Sequence, residues 1–337
     1  MSDADAERVA RVVRGGQLAQ GPEVAAFERE LAARLDVEDA AVVSSGSAAL
    51  ELALRALDVG AGQEVIVPTY ACDALYHAVA RCGARPVLAD ADAATLTLCR
   101  DDAKRRLGAR TGAVVVPHAF GQAVDLAEFR ALGVPVVEDC AQALGAVVGG
   151  RPAGSQGALA ICSFYATKLV TSGEGGAVAG PEALVRRVRD ARDYDEREDL
   201  APRFNHKLTD LQAALGRSQL ARLDTFVTRR RAIAARYRSR LAGARCRAPE
   251  DAGDRHVYHR FVVTVDRPLA PLIAALQAQG IATRRPVYRP LHRALRLDGY
   301  PEAERLWATA LSLPCYPSLA DVEVDTVAAA LVEALVR

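Results

Sequence analysis

From Ala40 to Asp139 the chain keeps returning to short runs of β-branched and aliphatic residues, and four of the five are followed by a helical pattern. AAVV (40–43) precedes SAALELALRAL (47–57), and EVIVP (64–68) precedes DALYHAVARC (73–82). PVLAD (86–90) precedes DDAKRRL (101–107), AVVVP (113–117) precedes LAEFRAL (126–132), and PVVED (135–139) closes the series. These runs lack the apolar–polar alternation of a half-exposed strand, so both faces should be covered. Such strands, separated by helices, predict a largely parallel sheet packed between helical layers.

Beyond Asp139 the rhythm changes. ALAICSF (158–164) and GAVAG (176–180) read as two further strands. A long helical region follows from about Asp210 to Leu241. The tail reads as a strand YHRFVVTV (258–265), a helix (269–280), a short extended piece IATRRPVY and a final helix (322–336). Pro22 opens an earlier helix that places Val24, Phe27, Leu31 and Leu35 on one face. The expected fold class is α/β. A large domain (1–225), its mostly parallel mixed sheet covered by helices, is followed by a smaller C-terminal α+β domain (226–337). The arginine-rich piece TRRRAIAARYRSRL (228–241) reads as the solvated face of a long helix.

Charge narrows the function. The 43 basic and 42 acidic side chains of the 337 residues leave a formal net charge of +1. A nucleic-acid or membrane-surface protein would show a strong basic excess. No apolar run is long enough to span a bilayer. The start, MSDADAERVARVVRGG, is charged and helical rather than a signal peptide, so a cytoplasmic protein is expected. Seven cysteines are scattered without zinc spacing, which fits buried thiols in a reducing compartment and no metal site.

Three stretches carry chemistry. In SFYATKLVTSGEGG (163–176), Lys168 follows an apolar strand and precedes a glycine-rich turn. Desolvation disfavours an ammonium, and a neutral amine can form a Schiff base. In VVEDCAQALGA (136–146), two acids end a buried strand, and Asp139 faces the end of the sheet where α/β proteins bind ligands. An N-cap role for that aspartate is equally open. In SSGSAALELAL (44–54), a strand runs through Ser-Gly-Ser into a helix, whose free N–H groups suit a phosphate or simple capping. No GxGxxG or GxxxxGK[ST] supports a nucleotide phosphate. A Schiff-base lysine, a carboxylate and a phosphate seat together point to pyridoxal 5′-phosphate, whose ring nitrogen a carboxylate keeps protonated.

With these motifs the sequence resembles the DegT/DnrJ/EryC1/StrS family, sugar aminotransferases of the aspartate-aminotransferase-like fold type I. The resemblance runs from GPEVAAFERELA (21–32) to ALSLPCYPSL (310–319), through SSGSAAL, EVIVPTY, GARPVLADAD, VVEDCAQALGA, SFYATKLVTSGEGG and FNHKLTDLQAALGRSQLARLD. It implies that Lys168 carries the cofactor and is the catalytic residue. It implies that Asp139 pairs with the pyridine nitrogen and Gln142 lies by the ring. Ser163 and the Ser45-Gly46-Ser47-Ala48 turn hold the phosphate, and Asn205 reaches the phosphate of a neighbouring subunit. Cys72 stands where the family has a ring-stacking aromatic, with Tyr70 two residues away. Arg284, Arg285, Tyr288 and His292 are weaker candidates for acceptor contacts, a surface turn being as good a reading.

The resemblance implies transfer of an amino group from L-glutamate or L-glutamine to a keto-sugar, nucleotide-linked, or to a keto-cyclitol, in secondary-metabolite or surface-polysaccharide biosynthesis. It also implies a cytoplasmic homodimer with shared active sites. Two alternatives stay open at this point: a deoxysugar dehydratase, which in the family replaces the lysine by histidine, and a non-catalytic cofactor binder.

Overall fold

The computed structural model describes residues 1–336. Two helices, α1 (Asp3–Gly15) and α2 (Pro22–Leu35), lead into β1 (Asp39–Val43), α3 (Gly46–Ala56), β2 (Glu64–Pro68), α4 (Ala74–Arg81) and β3 (Arg85–Ala89). Then come α5 (Arg100–Arg105), β4 (Thr111–Pro117), α6 (Ala127–Arg130), β5 (Val136–Asp139), a small hairpin β6 (Val147–Val148) and β7 (Arg151–Pro152), β8 (Leu159–Ser163) and β9 (Gly176–Gly180). The seven longer strands form one sheet in the order β1-β9-β8-β5-β4-β2-β3. Every pairing from β8 outward to β3 is parallel, and β9 runs antiparallel between β1 and β8. The mostly parallel, helix-covered sheet matches the reading of the apolar runs, with all seven strands at the expected places.

Burial follows from composition. All residues of β2 and β9 are buried, as a sheet covered on both faces requires. Helix α3 is apolar almost all round and packs against the sheet and α4. β1 is an edge strand, and its exposed side is occupied rather than left open. Glu28 accepts from the Val42 amide at 3.0 Å, Arg192 donates to the Val42 carbonyl at 2.7 Å, and the Ser44 amide donates to His206 O at 2.8 Å.

After α7 (Glu182–Ala191) the chain forms α8 (Asp210–Leu220) and α9 (Leu223–Arg240). The expected single helix is therefore broken at Ala221–Arg222, with no glycine or proline to announce it. The C-terminal part builds β10 (Cys246–Arg247), β11 (Phe261–Val265), α10 (Leu269–Gln277), α11 (Leu291–Leu295), α12 (Pro301–Thr309), β12 (Ala310–Leu313) and α13 (Asp321–Val336). β11 starts three residues later than expected, and it pairs antiparallel with β10 and β12, neither of which the sequence reading contained. A separate apolar core gathers α9, β11, α10, β12 and α13. The arginines of α9 are not a free solvated face. Arg236 and Arg240 pair with Asp325, and Arg230 is buried against backbone carbonyls.

The stretch from Val287 to Ala310 is tied to the large sheet rather than to that second core. Val287, Leu291, Tyr300, Ala303 and Leu306 belong to the apolar cluster around α3 and α4. Asp90 accepts from the amides of Glu302 and Ala303 at 3.0 and 2.9 Å, capping α12 from the end of β3. Among the described residues no helix is long and apolar enough to cross a membrane.

Candidate active site

β5 and β8 are parallel neighbours in the middle of the sheet, so their C-terminal ends open on one side. Alternation along β5 sends Glu138 and Asp139 to opposite faces. Glu138 is fully buried behind the site. Its Oε1 accepts from His118 Nε2 at 2.8 Å and Gly154 N at 2.6 Å; its Oε2 accepts from Gln156 N at 2.9 Å and Gly157 N at 3.0 Å. His118 Nδ1 accepts from Val124 N at 3.1 Å, so Nε2 carries the proton it donates to Glu138. Burial alone would raise the Glu138 pKa, but these donors hold it below the usual range. His118, Glu138 and Cys140 place three ligand-type atoms within 4.8 Å of one another. The protein already satisfies both carboxylate oxygens and both ring nitrogens, so this group acts as a strut.

Asp139 faces the crevice. One carboxylate oxygen accepts from Ala141 N at 2.9 Å, and the other has no partner among the described residues. Burial pushes its pKa up, against the pull of the Ala141 amide and the Lys168 charge. Gln142 lies close by and its Oε1 accepts from Phe120 N at 2.8 Å, which fixes the side chain.

Lys168 sits in a turn five residues past the end of β8 rather than at the strand end, and it is half-buried. Its amide donates to Tyr165 O at 2.9 Å, but its side chain makes no hydrogen bond or ion pair among the described residues. Burial lowers its pKa, while Asp139 and Cys72 act in the opposite direction and Arg260 adds to the lowering. Lys168 and Asp139 thus feel each other across the crevice without forming a salt bridge, which leaves room between amine and carboxylate.

The glycine-rich turn is held, not loose. Thr171 Oγ1 and Ser172 N donate to Phe164 O at 3.2 and 2.9 Å, and Ser172 Oγ donates to Glu174 O at 2.7 Å. Leu169 and Val170 are core residues. Freedom to move at this point therefore rests with the Lys168 side chain.

The third part of the site is the start of α3. Ser45 is the N-cap, its Oγ accepting from Ala48 N at 3.1 Å, an interaction typically worth about 1 kcal/mol. Ala48 thus gives its amide to the cap and is a poor phosphate donor, contrary to the resemblance. The amides of Gly46 and Ser47 have no acceptor among the described residues, as expected at a helix start. Ser163, at the end of β8, stands directly opposite: a Cβ at position 46 would lie 2.8 Å from Ser163 Cβ and 3.0 Å from its Oγ. A Cβ at Gly176 would collide with the Ser45 carbonyl and lie 2.6 Å from Gly46 N. Two glycines thus let three strand ends and a helix start converge on an anion-sized seat.

The remaining sequence candidates divide. Cys72 is exposed to the crevice and senses both Asp139 and Lys168. Tyr70 does not stand in for a stacking ring: it is buried, its hydroxyl donating to Leu306 O at 3.5 Å and its ring edge-on to Phe120 at 6.3 Å. Asn205 is exposed and makes a backbone bridge to Asp193. Tyr288 is 91 % exposed, and Arg284 is exposed on a cleft that includes Lys168. His292 is not available for a substrate: it is 2 % exposed, with Nδ1 2.8 Å from Thr69 Oγ1 and Nε2 2.7 Å from Glu304 Oε1. It pins α11 to the end of β2. Arg285 is likewise engaged, donating to Trp307 O at 2.9 Å and lying over that ring at 4.4 Å.

The profile of the DegT/DnrJ/EryC1/StrS aminotransferase family matches residues 1–332. The chain belongs to that family. This aminotransferase is 37% identical over 329 residues to the dTDP-3-amino-3,4,6-trideoxy-alpha-D-glucose transaminase of Streptomyces venezuelae, a match covering 92% of this chain and 86% of the relative. Among solved structures, S. venezuelae DesV in complex with a ketimine intermediate is 36% identical with a TM-score of 0.93, covering 99% of this chain and 94% of that one. The PLP form of the Streptococcus pneumoniae sugar aminotransferase Spr1654 is 26% identical with a TM-score of 0.94, covering 99% and 96%.

Sequence reading missed three groups that shape this aminotransferase's site. The Glu138–His118 strut was legible as the opposite face of β5 from Asp139. His259 and Arg260 were read as the start of a strand but lie ahead of β11, in a bend where Tyr258 has φ of 48°. A histidine and an arginine heading an apolar run were the available signal.

Proposed function

We propose that this aminotransferase uses pyridoxal 5′-phosphate to move an amino group from L-glutamate or L-glutamine to a nucleotide-linked keto-sugar or a keto-cyclitol. The observation that carries the reading is the unpaired, half-buried Lys168 amine facing an unpaired Asp139 carboxylate oxygen, with an anion seat at Gly46, Ser47 and Ser163 beside them. These residues fit the cofactor. Lys168 would hold its aldehyde, Asp139 its ring nitrogen, and the Gly46 and Ser47 amides with the Ser163 hydroxyl its phosphate. Gln142 would border the ring, and Cys72 would cover part of it with less area than an aromatic.

When bound, the cofactor supplies an aldehyde carbon for the amino group and an electron sink for charge developing at the donor Cα. Lys168 Nζ, once free, would take the Cα proton as a base and return it as an acid. Its lowered pKa suits that double role. Asp139 would hold a proton on the ring nitrogen and keep the sink electron-poor. Glu138 and His118 hold β5 in place beneath it.

Adding L-glutamate to the cofactor-loaded protein should bleach its visible absorption, and a keto-sugar nucleotide should restore it. A loaded protein whose absorption no amino donor changes would be a binder, and the transaminase reading would fail.

The active unit is a homodimer in this reading. Asn205 has no side-chain partner among the described residues, and exposed Tyr194 and Leu200 lie on the same segment. A symmetric partner covering that segment would bring Asn205 to its neighbour's cofactor phosphate. Sedimentation of the loaded enzyme should give a dimer; a fully active monomer contradicts the assignment.

A further inference from the structure

The cleft beside Lys168, about 660 Å³, carries an unbalanced charge. Lys168, Arg230, Arg260 and Arg284 line it, and among the described residues Glu323 is its only carboxylate. Glu323 is exposed at the cleft margin, with one oxygen taking the Ala320 amide at 2.7 Å. Arg230 Nη1 donates to the carbonyls of Tyr258, His259 and Cys315 at 3.0, 3.3 and 2.5 Å, while its Nε has no partner among the described residues. Arg260 and Arg284 use only their backbone amides, toward Phe120 O and Ser312 O; their guanidinium groups have no acceptor among the described residues.

Arg260 is half-buried, and two half-buried arginines elsewhere in the chain find carboxylates: Arg189 pairs with Glu28 and Asp39, and Arg217 with Glu23 and Glu30. Two unpaired guanidiniums facing one cleft repel each other, and an arriving anion relieves the repulsion. A third group points to the same ligand. His259 is 8 % exposed, lines the cleft, and its Nδ1 has no partner. Burial and the neighbouring charges of Lys168, Arg230 and Arg260 keep its imidazole neutral.

We propose that Arg260 and Arg284, with His259, bind the carboxylate of the amino donor rather than the phosphates of the acceptor. The inference rests on the transaminase reading and deepens it. In an α-amino acid the carboxylate is one bond from the carbon that carries the amine. It must therefore arrive close to Lys168 Nζ, and Arg260 is near enough for its charge to act on that amine. In a nucleotide-linked keto-sugar the phosphates stand away from the keto carbon by atoms of the sugar ring. Two forked guanidiniums also match the planar, two-oxygen geometry of a carboxylate.

The test separates the two half-reactions in the loaded enzyme. Arg260→Met and Arg284→Met should each raise the KM for L-glutamate about 10- to 100-fold, as loss of a charge-assisted hydrogen bond does. The KM of the acceptor half-reaction should not move. Arg260→Lys should recover part of the loss. Glutarate, which has carboxylates and no amine, should bind the loaded wild type by calorimetry and bind Arg260→Met at least about 10-fold more weakly. Because Arg284 is exposed, its variant stays informative if Arg260→Met fails to fold. An effect confined to the acceptor half-reaction, or weaker binding of dTDP, UDP or GDP with glutarate binding intact, overturns the proposal. So does an unchanged KM for the donor in both variants. Those outcomes leave the transaminase reading standing, whereas a wild type that no donor converts removes both.

Discussion

Replacing Lys168 by alanine should yield a folded protein that transfers amino groups at least about 10²- to 10⁴-fold more slowly, the range typical of losing a positioned proton carrier. The variant should also lose the absorption of a lysine Schiff base. Stability should hardly change, because the Lys168 side chain makes no hydrogen bond or ion pair among the described residues and its neighbours Leu169 and Val170 anchor the turn. Single-turnover absorbance with L-glutamate and a melting curve measure the two properties separately. A variant with more than about a tenth of wild-type turnover would mean that another base acts at Cα.

The second large effect concerns folding. Glu138→Ala should destabilise the protein by about 3–5 kcal/mol, the usual result of deleting one member of a buried charged network. It strands the amides of Gly154, Gln156 and Gly157 together with His118 Nε2 in a site that water does not reach. Chemical denaturation should show a lower midpoint for the variant. The pH dependence has a definite sign. Glu138 has a native pKa below that of an unfolded glutamate, so its contribution is complete above about 4.3. That contribution fades as pH falls through the lower native value. Glu138→Gln should flatten this acid limb. A midpoint within about 0.5 kcal/mol of wild type for Glu138→Ala would show that the strut is dispensable.

Much of the fold was legible because a doubly covered sheet leaves a plain signal: each of its seven strands is a short, unbroken apolar run. The weak places are those where tertiary contact decides. β10 and β12 are two and four residues long, and they exist as strands only by pairing with β11. The break between α8 and α9 carries no glycine or proline, so continuous helical periodicity concealed it. At the site, Asp139 and Lys168 stood out because an aspartate ending one buried strand and a lysine just after another are costly without a task, whereas Ser163 came only with the family resemblance. His292 came with it too, and misled. Its partners Thr69 and Glu304 are remote in sequence, so a histidine that pins α11 to the end of β2 looked like one awaiting a substrate. Arg260 left less trace, because the lack of an acceptor for its guanidinium among the described residues appears only in the folded chain.

The position of β9 carries a consequence for biogenesis. Gly176 pairs with Val43 on one side and with Ser163 on the other, so residues from three distant parts of the chain become neighbours only when β9 slides between β1 and β8. No nascent fragment ending before β9 can assemble the seat, however well its first strands have formed. With the proposed cofactor in that seat, loading would be reserved for molecules that have completed the longest-range pairing of their large sheet, and the colour of a preparation would count finished copies rather than synthesised ones.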